Sequence, residues 1–336
     1  MSTLAEVAKR AGVSTATVSK VLSNTPYFTE ETRVKVMTAV EELGYVPNLA
    51  GRALSMGKTH MIAVVFPHVY DAVFTDPHVQ HILEGVEAEC TQHGYSILLS
   101  TPRLTENGPD QHYLQLIRSG YIDGIVALDN VPMGSVIAPA LERNIPAVAI
   151  GHDGYGPFVR TDDREGGYLL MRHLMELGHQ HIGIIGSPAA LHFPAQERLD
   201  GARQAAEAYS LDFDMLPIAE GNFSMPDGGR LAVELLDAHP ELTALICLND
   251  RMALGAIQEL RLHGITVPDD LTVVGYDDIP LAPLFAPSLT TISQHAPDLG
   301  RAAVQMVFAI MRGESPESVI LPAKLIVRGS SGPPKQ

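Results

Sequence analysis

The chain has 336 residues, of which 46% are hydrophobic and 18% are charged, so it has room for two or three domains and is not wholly disordered. Its net charge of −16, taken as a whole, argues against a nucleic-acid partner. Residues 1–58, however, hold seven basic and five acidic side chains, a local charge of +2 that leaves −18 for the remainder. A mildly basic N-terminal head on an acidic body is expected when only the head contacts phosphate.

The sequence shows no membrane span and no export signal. The longest apolar run near the start of the large predicted domain, Met61 to Phe66, is far too short to cross a bilayer. No basic segment followed by an apolar run marks a secretory signal, and the two cysteines, Cys90 and Cys247, offer no disulfide framework. We therefore expect a soluble cytoplasmic protein that has no membrane partner.

The first residues predict a short capped helix. Thr3 and Glu6 have the spacing of a capping box, in which each side chain accepts a hydrogen bond from the backbone amide of the other residue. Gly12 is placed to end this helix, and Ser14 to cap the next one. Apolar side chains recur on one helical face, at Leu4, Val7, Ala8 and Ala11.

Two further helices are predicted in the head. The second helix has an apolar inner face formed by Val18, Val21 and Leu22. Its outer face is small and polar and consists of Thr15, Ala16, Ser19 and Lys20. The third helix begins at Thr29 and ends at Gly44, and its inner face is predicted at Val36, Met37, Val40 and Leu43.

Three short helices with a glycine-containing turn between the first two are typical of a helix-turn-helix DNA-binding module. Its second helix would lie in the major groove, where hydroxyl groups can bond phosphate or base edges. There Ala16 can touch a thymine methyl group and Lys20 can reach the acceptors of guanine. The alternative from the pattern alone is an ordinary three-helix bundle whose exposed serines and threonines are only solvated.

The stretches LAEVAKRAGVSTATVSKVLSN (4–24) and TEETRVKVMTAVEELGYVPNLAGRAL (29–54) resemble the N-terminus of the LacI/GalR family of bacterial transcription regulators. The resemblance covers essentially the whole head and favours DNA binding over the simple bundle. It implies base contacts from Thr15, Ala16 and Lys20. It implies contacts to the DNA backbone from Ser14, Thr17, Ser19 and Asn24. The remaining predicted DNA contacts are Thr3, Asn48 and Arg52.

The segment from Val46 to Leu54 resembles the hinge of this family, which becomes helical only on operator DNA and pairs with a second copy in the minor groove. The resemblance implies that Leu54 wedges into the central base step and kinks it. A proline near its start and Gly51 inside it make the segment marginal as an isolated helix. Gly51 replaces the usual alanine and adds about 0.5–1 kcal/mol per chain to the cost of ordering. A flexible interdomain linker is the alternative.

From residue 61 onward, short apolar runs alternate with helical stretches. The predicted strands form a first series at 61–66, 95–100, 124–128 and 147–150, and a second at 181–186, 244–248 and 271–276. Such runs between amphipathic helices indicate parallel strands buried on both faces, hence two α/β lobes that change near 160–163. We expect a crossing back near 289–293, a last long helix at about 297–311 and a disordered tail, GSSGPPKQ.

Polar residues follow the predicted strands of both lobes, at the edge where open parallel sheets bind ligands. They lie at 67–74, 129–130 and 151–154 in the first lobe and at 249–250 and 277–278 in the second. Their carboxylates and amides, with Phe74 or Phe223 for stacking, suit a small polyhydroxylated ligand. Asp250 and Asp278 are explained at least as well by capping of the helices that follow.

The resemblance extends to about residue 328 through segments such as QERLDGARQA, LNDRMALGAI and VPDDLTVVGYDD. It implies a two-lobed core similar to periplasmic sugar-binding proteins, with Arg198 and Asp277 as the strongest effector contacts. The guanidinium of Arg198 is a fork of donors and the carboxylate of Asp277 has two acceptors, which together can clamp vicinal hydroxyls or a purine edge. The other implied effector contacts are Phe74, Asp129, Asp153, His192, Phe223 and Asn249.

Three features depart from the family pattern. Gly151 stands where the family often has an aspartate, and Asp153 comes two residues later. His192 and Pro194 replace residues that contact purine in purine-responsive members, which argues against a nucleobase effector. The segment 159–163, at the start of the second lobe, is an unusual version of the family's sequence. A sugar is the favoured effector, and a non-sugar metabolite such as a nucleoside, or a sugar phosphate, is the alternative.

An enzyme and a solute-binding protein are the rival interpretations. The sequence has no G-x-G-x-x-G turn, P-loop, G-x-S-x-G or H-E-x-x-H motif. The pairs His78/His81 and His179/His181 could bind zinc, but neither has an evident third ligand, and a bond from His179 to backbone is the better explanation. A solute-binding protein accounts for the body but not for residues 1–54. We expect no enzymatic activity, no metal and no cofactor.

The sequence thus predicts an α/β protein with an N-terminal three-helix helix-turn-helix head and a two-lobed, periplasmic-binding-protein-like (type I) parallel-sheet core. We assign residues 1–46 to a DNA-binding domain, 47–58 to a hinge segment and 59–336 to an effector-binding and dimerisation domain. The predicted function is regulation of transcription, as a repressor whose affinity for double-stranded operator DNA depends on a small-molecule effector. We expect a homodimer on a pseudo-palindromic operator in the bacterial nucleoid, because the short tail after Val327 offers no tetramerisation helix.

Overall fold

The computed structural model describes residues 2–22, 28–46, 57–67, 73–105, 108–129, 135–151, 154–187 and 193–335. The predicted hinge lies almost entirely outside these ranges. The predicted site residues outside them are Asn24, Asn48, Arg52, Leu54, Asp153 and His192. The backbone of Asp129 is described, but its side chain is not.

The described residues of the head form three helices, α1 (Leu4–Ala11), α2 (Thr15–Leu22) and α3 (Glu30–Glu42). The predicted capping box is confirmed, since the amide of Glu6 donates to the Thr3 hydroxyl (3.3 Å) and the amide of Thr3 donates to the Glu6 carboxylate (2.7 Å). Gly12 follows α1 in the left-handed conformation (φ 67°), which glycine adopts without strain.

Buried apolar side chains hold the three helices of the head together: Val7, Ala8, Val18, Val21, Val36 and Ala39. The predicted inner faces of α1 and α2 are therefore confirmed. The prediction that Met37 faces inward was wrong, because 46% of this residue is exposed. The inner face of α3 runs through Val36 and Ala39, and one residue of helix rotates Met37 by about 100° away from Val36.

The body contains the remaining described elements. The first series is β1 (Met61–Val65), α4 (Pro77–Gln92), β2 (Ser96–Ser100), β3 (Leu104–Thr105), β4 (Gly108–Pro109), α5 (Gln111–Arg118), β5 (Gly124–Asp129), α6 (Ala138–Leu141), β6 (Ala147–Gly151) and β7 (Phe158–Thr161). The second series is α7 (Asp163–Leu177), β8 (Ile182–Gly186), α8 (Phe193–Ala208), β9 (Ile218–Glu220), α9 (Met225–Ala238), β10 (Ala244–Cys247), α10 (Asp250–Leu262) and β11 (Thr272–Val274). The chain then forms β12 (Thr291–Ser293), α11 (Ala296–Met311), β13 (Val319–Leu321) and β14 (Lys324–Ile326).

Two parallel sheets form the two lobes, as the sequence predicts. Over the described residues, the first sheet has the strand order β13-β7-β6-β5-β1-β2 and the second has the order β11-β10-β8-β9. The seven predicted strands appear within one or two residues of their predicted bounds. The central strands β6, β8 and β10 are buried on both faces, which explains why their sequences are continuous apolar runs.

The faces of the first sheet show how the alternation of side chains positions the helices. Ile62 and Val64 of β1 face α4 and α11, whereas Ala63 and Val65 face α5 and α6. A single larger core fills the second lobe between its sheet and the helices α7 to α10. The carboxyl ends of both sheets therefore remain the edges at which a ligand can approach.

Three crossings connect the lobes within the described chain. They lie between β7 and α7, between β12 and α11, and between β13 and β14. The antiparallel pair β12–β14 joins the second and third crossings. The first and second crossings are joined by a hydrogen bond from the Thr161 hydroxyl to the Gln294 carbonyl (3.2 Å). Both predicted crossing points are confirmed.

The prediction of a disordered C-terminal tail was wrong, because its described residues pack against the second lobe. The fully buried Ser330 donates to the carbonyl of Val273 (2.6 Å) and accepts from the amide of Thr290 (2.9 Å). His179 bonds backbone, as expected, and its Nε2 lies 2.8 Å from the carbonyl oxygen of Gly332. Glycine, serine and proline also suit extended segments that bond a neighbouring strand end, so their composition alone does not predict disorder.

Candidate functional site

The outer face of α2 is the candidate DNA-contacting surface. The Ser14 hydroxyl caps the helix by accepting from the amide of Thr17 (3.1 Å), and it lies 2.9 Å from the Thr17 hydroxyl. The predicted contact residues are exposed at Ser14, Thr15, Ala16 and Lys20 and half-buried at Thr17 and Ser19. A helix N-terminus carries a partial positive charge and unpaired amides, so this surface suits an anionic backbone.

Thr3, another predicted DNA contact, has a structural role in the head. Its hydroxyl donates to the Glu6 carboxylate (3.1 Å) in addition to accepting from the Glu6 amide. The hydrogen bonds from Thr3 lower the pKa of Glu6. A contact from Thr3 to DNA remains a prediction.

Arg198, on α8, lies in a buried cluster of charged and aromatic groups in the second lobe. Its Nε donates to the carboxylate of Asp163 (2.8 Å) and its Nη1 to the carbonyl of Leu248 (2.6 Å). The guanidinium carbon lies 3.7 Å from the centre of the Tyr276 ring. The cluster fixes the plane of the guanidinium, which is the condition for using it as a rigid fork.

Asp277 lies beside this cluster, at the junction of the two lobes. Its Oδ1 is 4.0 Å from Nη1 of Arg198 and accepts a hydrogen bond from Nε2 of Gln294 (2.6 Å). Burial raises the pKa of Asp277, and the nearby His78 and Arg198 oppose that rise. The structure thus brings together the two strongest predicted effector residues and adds Gln294 to them.

Asn249 and Phe223 lie next to each other on the second lobe. Asn249 caps α10, where its Oδ1 accepts from the amide of Met252 (2.9 Å) and its Nδ2 donates to the carbonyl of Phe223 (3.1 Å). Phe223 adopts a left-handed backbone (φ 63°) and packs against the core of this lobe. Both groups of the Asn249 amide bond the protein itself, so its effector contact remains a prediction.

The capping suggested for Asp250 and Asp278 is not seen: Asn249 caps α10, and no described helix begins directly after Asp278. Asp250 is fully buried and accepts from the amide of Ile279 (2.9 Å) and the hydroxyl of Thr291 (2.5 Å). Burial raises its pKa well above the usual range, and the charge of Asp277 adds to the rise. Asp278 forms an ion pair with Arg328 (2.6 Å).

The first lobe contributes side chains that the sequence interpretation missed. Asp76 caps α4 by accepting from the amide of His78 (2.9 Å), and it also pairs with Arg251 of the second lobe (3.2 Å). Nδ1 of His78 is buried and has no hydrogen-bond partner within the described chain. Phe74, by contrast, is 66% exposed. The pattern Asp-Pro signalled a helix start, but nothing in it signalled a partner 175 residues away.

Within the described ranges, no three His, Cys, Asp or Glu side chains are grouped as a metal site would need. None of the helices that the structure describes is long and apolar enough to cross a bilayer.

Comparison with known proteins places two family models on the chain. The model of bacterial regulatory proteins of the lacI family matches residues 3–48, which contain α1 to α3. The model of the periplasmic binding protein-like domain matches residues 171–331, which begin within α7 and contain the rest of the second lobe and α11.

Individual relatives match over nearly the full length. The HTH-type transcriptional regulator DegA of Bacillus subtilis (strain 168) is 33% identical over 99% of this chain and 98% of its own. The crystal structure of the lac repressor dimer bound to operator and the anti-inducer ONPF has a TM-score of 0.86 at 26% identity, covering 98% of this chain and 99% of that one. A complex of the transcriptional regulator CelR with cellobiose has a TM-score of 0.72 at 28% identity, covering 98% and 100%. The chain therefore belongs to the lacI family of bacterial regulatory proteins.

Proposed function

We propose that this protein is a transcriptional repressor whose affinity for operator DNA is controlled by a small polyhydroxylated effector, with a sugar as the effector class. The observation that carries the proposal is the Arg198–Asp277 pair (4.0 Å), fixed at the junction of two lobes on a chain whose α2 exposes a small, hydroxyl-rich N-terminus. A planar cation and a carboxylate side by side match the donors and acceptors of adjacent hydroxyl groups.

The proposed organisation follows the sequence prediction. Residues 1–46 bind DNA, residues 47–58 are the hinge and residues 59–336 bind the effector and form a homodimer. Two heads related by two-fold symmetry would bind a pseudo-palindromic operator, with α2 in the major groove. The lac repressor, which this chain resembles over 98% of its length, is a dimer on operator DNA. We place the protein in the bacterial cytoplasm, as a regulator and not an enzyme.

The effector class rests on the chemistry of the cleft and on one relative. We define the effector cleft as the junction of the lobes at Arg198, Asp277 and Gln294, where the guanidinium offers donors, the carboxylate offers acceptors and the amide offers both. CelR, whose fold this chain shares, is seen with cellobiose. A nucleoside or a sugar phosphate is the alternative class, and the ligand screen below separates the classes.

Operator binding is tested first, because it needs no knowledge of the effector. The full-length protein selects fragments from a random pool of double-stranded DNA, and fluorescence anisotropy then measures its affinity for the selected fragment and a scrambled one. We expect a pseudo-palindromic fragment bound tighter by about 10³-fold or more. Equal affinity for the two fragments would show that α2 does not recognise sequence.

The effector is tested by thermal shift against monosaccharides, disaccharides, sugar phosphates and nucleosides. A ligand at 100 times its dissociation constant adds about 2.7 kcal/mol to the free energy of unfolding, which raises the melting temperature visibly. The shift should vanish in Asp277→Asn and persist in the control Asp214→Asn, an exposed carboxylate paired with Arg203 on the outside of the lobe. A shift from nucleosides alone would replace the sugar with the alternative class.

Effector and operator must also affect each other reciprocally. If the effector changes the affinity for operator by some factor, the operator must change the affinity for effector by the same factor. With the ligand found by the screen, the coupling free energy is measured twice, once as the effect of effector on operator affinity and once as the effect of operator on effector affinity. Unequal values would rule out a single linked equilibrium.

A further inference from the structure

Two helices of the first lobe, α4 and α11, begin at the cleft. Asp76 directly precedes α4, and its carboxylate pairs with Arg251 of the second lobe (3.2 Å). The residue two positions before α11 is Gln294, whose amide donates to the proposed effector ligand Asp277 (2.6 Å). A change in the cleft therefore acts directly on the first turn of both helices.

The same two helices are locked together along their length. A Cβ added to Gly85 of α4 would lie 1.9 Å from the carbonyl oxygen of Pro297, and one added to Gly300 of α11 would lie 2.2 Å from that of Ile82. Closer to the C-terminal ends of the two helices, Nε2 of Gln305 donates to the largely buried carboxylate of Glu89 (3.2 Å). Backbones in such close contact cannot slide past each other without breaking the packing, so α4 and α11 form one rigid unit.

The other end of this unit contacts the residues that directly follow the predicted hinge. We define the hinge-root cluster as four rings: His60, His93, Tyr95 and Phe308. Phe308 of α11 lies 4.7 Å from His93 and 4.9 Å from Tyr95, and Tyr95 lies 4.9 Å from His60, measured between ring centres. Phe308 comes 12 residues after Ala296, the first residue of α11, so about 18 Å of helix separates the cleft end of α11 from this cluster.

The chain is fixed firmly where it leaves the hinge. The carboxylate of Asp123, just before β5, accepts from the amides of Thr59 (2.8 Å) and His60 (2.9 Å) and from the Thr59 hydroxyl (2.8 Å). His60 adopts a left-handed backbone (φ 56°), and its Nε2 is buried with no hydrogen-bond partner in the described parts of the chain. Burial and the charge of Asp123 raise the pKa of Tyr95 to about 12, so its ring stays neutral in this cluster. A strained, over-determined backbone is expected where a segment must hold a defined position.

We propose that α4 and α11 act as one rigid unit that transmits the state of the effector cleft to the hinge, with Phe308, Tyr95 and His60 as its positioning residues. The inference rests on the proposed function, since it explains how an effector at Asp277 controls operator affinity. Movement of Gln294 shifts α11, Phe308 moves with it, and the ring contacts alter how Thr59 and His60 are held. None of these positioning residues touches the effector or DNA.

The test measures the link without effector or operator. Trypsin cleaves after the exposed Lys58, and the fragment that begins at Thr59 appears at a rate set by how often Thr59 and His60 leave Asp123. The rate is measured by mass spectrometry in the full-length parent, Gln294→Ala, Phe308→Leu and the double variant. Gln294→Ala frees the cleft end of α11 from Asp277, and Phe308→Leu removes the ring contact while it keeps an apolar side chain.

We expect Gln294→Ala to change the cleavage rate by about two- to thirtyfold in the parent, and to leave it unchanged in the Phe308→Leu background. Phe158→Leu is the matched control, because Phe158 packs on the opposite face of the same sheet; there the effect of Gln294→Ala should persist. Chemical denaturation confirms beforehand that each variant is folded under the digestion conditions.

An unchanged rate in Gln294→Ala, or the same fold-change with and without Phe308, would overturn the proposal. Its failure is distinguishable from failure of the proposed function, because operator selection by the parent protein is measured separately. A protein that selects an operator but shows additive cleavage effects would keep its function and lose this route of transmission.

Discussion

The head and the second lobe hold their functional side chains in opposite ways. On α2 most of the candidate contacts are exposed, and a single serine cap sets the start of the helix. In the second lobe Arg198 is 7% and Asp277 8% exposed, and each is bonded to other groups of the protein. Substitutions in the head should therefore change affinity for DNA with little change in stability, whereas substitutions in the cleft should change both.

The largest effect is expected for Arg198→Ala. The substitution leaves the buried carboxylates of Asp163 and Asp277 without their shared cation, and breaking a buried pair in this way costs about 3–5 kcal/mol. Urea denaturation of the two proteins gives the difference in free energy of unfolding. Arg164→Ala is the control, since that side chain is 47% exposed in its pairs with Glu197 and Asp200, and it should cost about 1 kcal/mol or less. Equal losses would contradict the contrast between buried and exposed pairs.

A glycine in each region gives the second comparison. Gly167 of α7 has no room for a side chain, because an added Cβ would lie 1.9 Å from the carbonyl oxygen of Arg198, so Gly167→Ala should cost about 1–3 kcal/mol by forcing α7 and α8 apart. Gly12 in the head faces open space and is constrained only by its left-handed backbone. Gly12→Asn should therefore cost clearly less, because asparagine tolerates that conformation. Melting temperatures of both variants test the order, and a larger loss at Gly12 would reverse it.

The third predicted effect is a pH dependence of stability that arises in the second lobe. Burial raises the pKa of Asp250 in the folded protein above its unfolded value, so between these two pKa values the folded state binds more protons than the unfolded state. Stability contributed by this group therefore rises as the pH falls through the folded pKa, by up to about 1.4 kcal/mol per pH unit. Asp250→Asn cannot titrate, so its free energy of unfolding should lack that component when both proteins are denatured across the pH range. Parallel pH profiles would show that folding does not raise the pKa of Asp250.

The sequence predicted local structure where the signals were local. The capping box at Thr3 and Glu6, the stop at Gly12 and the buried strands depend on neighbours within a few residues, and the structure confirms them. Met37 was misplaced because a valine, a methionine and an alanine in one helix do not show which of them meets the core. The tail was misjudged because the partners of Ser330 lie about 40 to 57 residues away in sequence.

The candidate site was predicted only in part, for the same reason. Arg198 and Asp277 were identified through the family resemblance and lie together as it implied. The pair of Asp76 with Arg251 joins two lobes, and no spacing in the sequence reveals which carboxylate on one lobe faces which cation on the other. Phe74, predicted as a stacking ring, is exposed in a short turn before α4, and its contact with an effector stays a prediction. Contacts between lobes depend on the tertiary arrangement, which local patterns do not encode.

The smallest effect on stability is expected for Lys20→Ala. This variant tests whether a substitution in the head changes affinity for DNA without changing stability. Lys20 lies on the exposed face of α2, so its removal should change the free energy of unfolding by no more than about 0.5 kcal/mol. The binding free energy for the selected operator should nevertheless weaken by about 1–3 kcal/mol, and that for scrambled DNA by much less. The reason is that a base contact discriminates sequence and a phosphate contact does not. Lys35→Ala, on α3 and paired with Glu31 (2.7 Å), serves as the control and should weaken both DNAs slightly and equally, if at all. If Lys20→Ala weakened both DNAs equally, Lys20 would be a backbone contact, and the base-contacting role on α2 would rest with Thr15 and Ala16 alone.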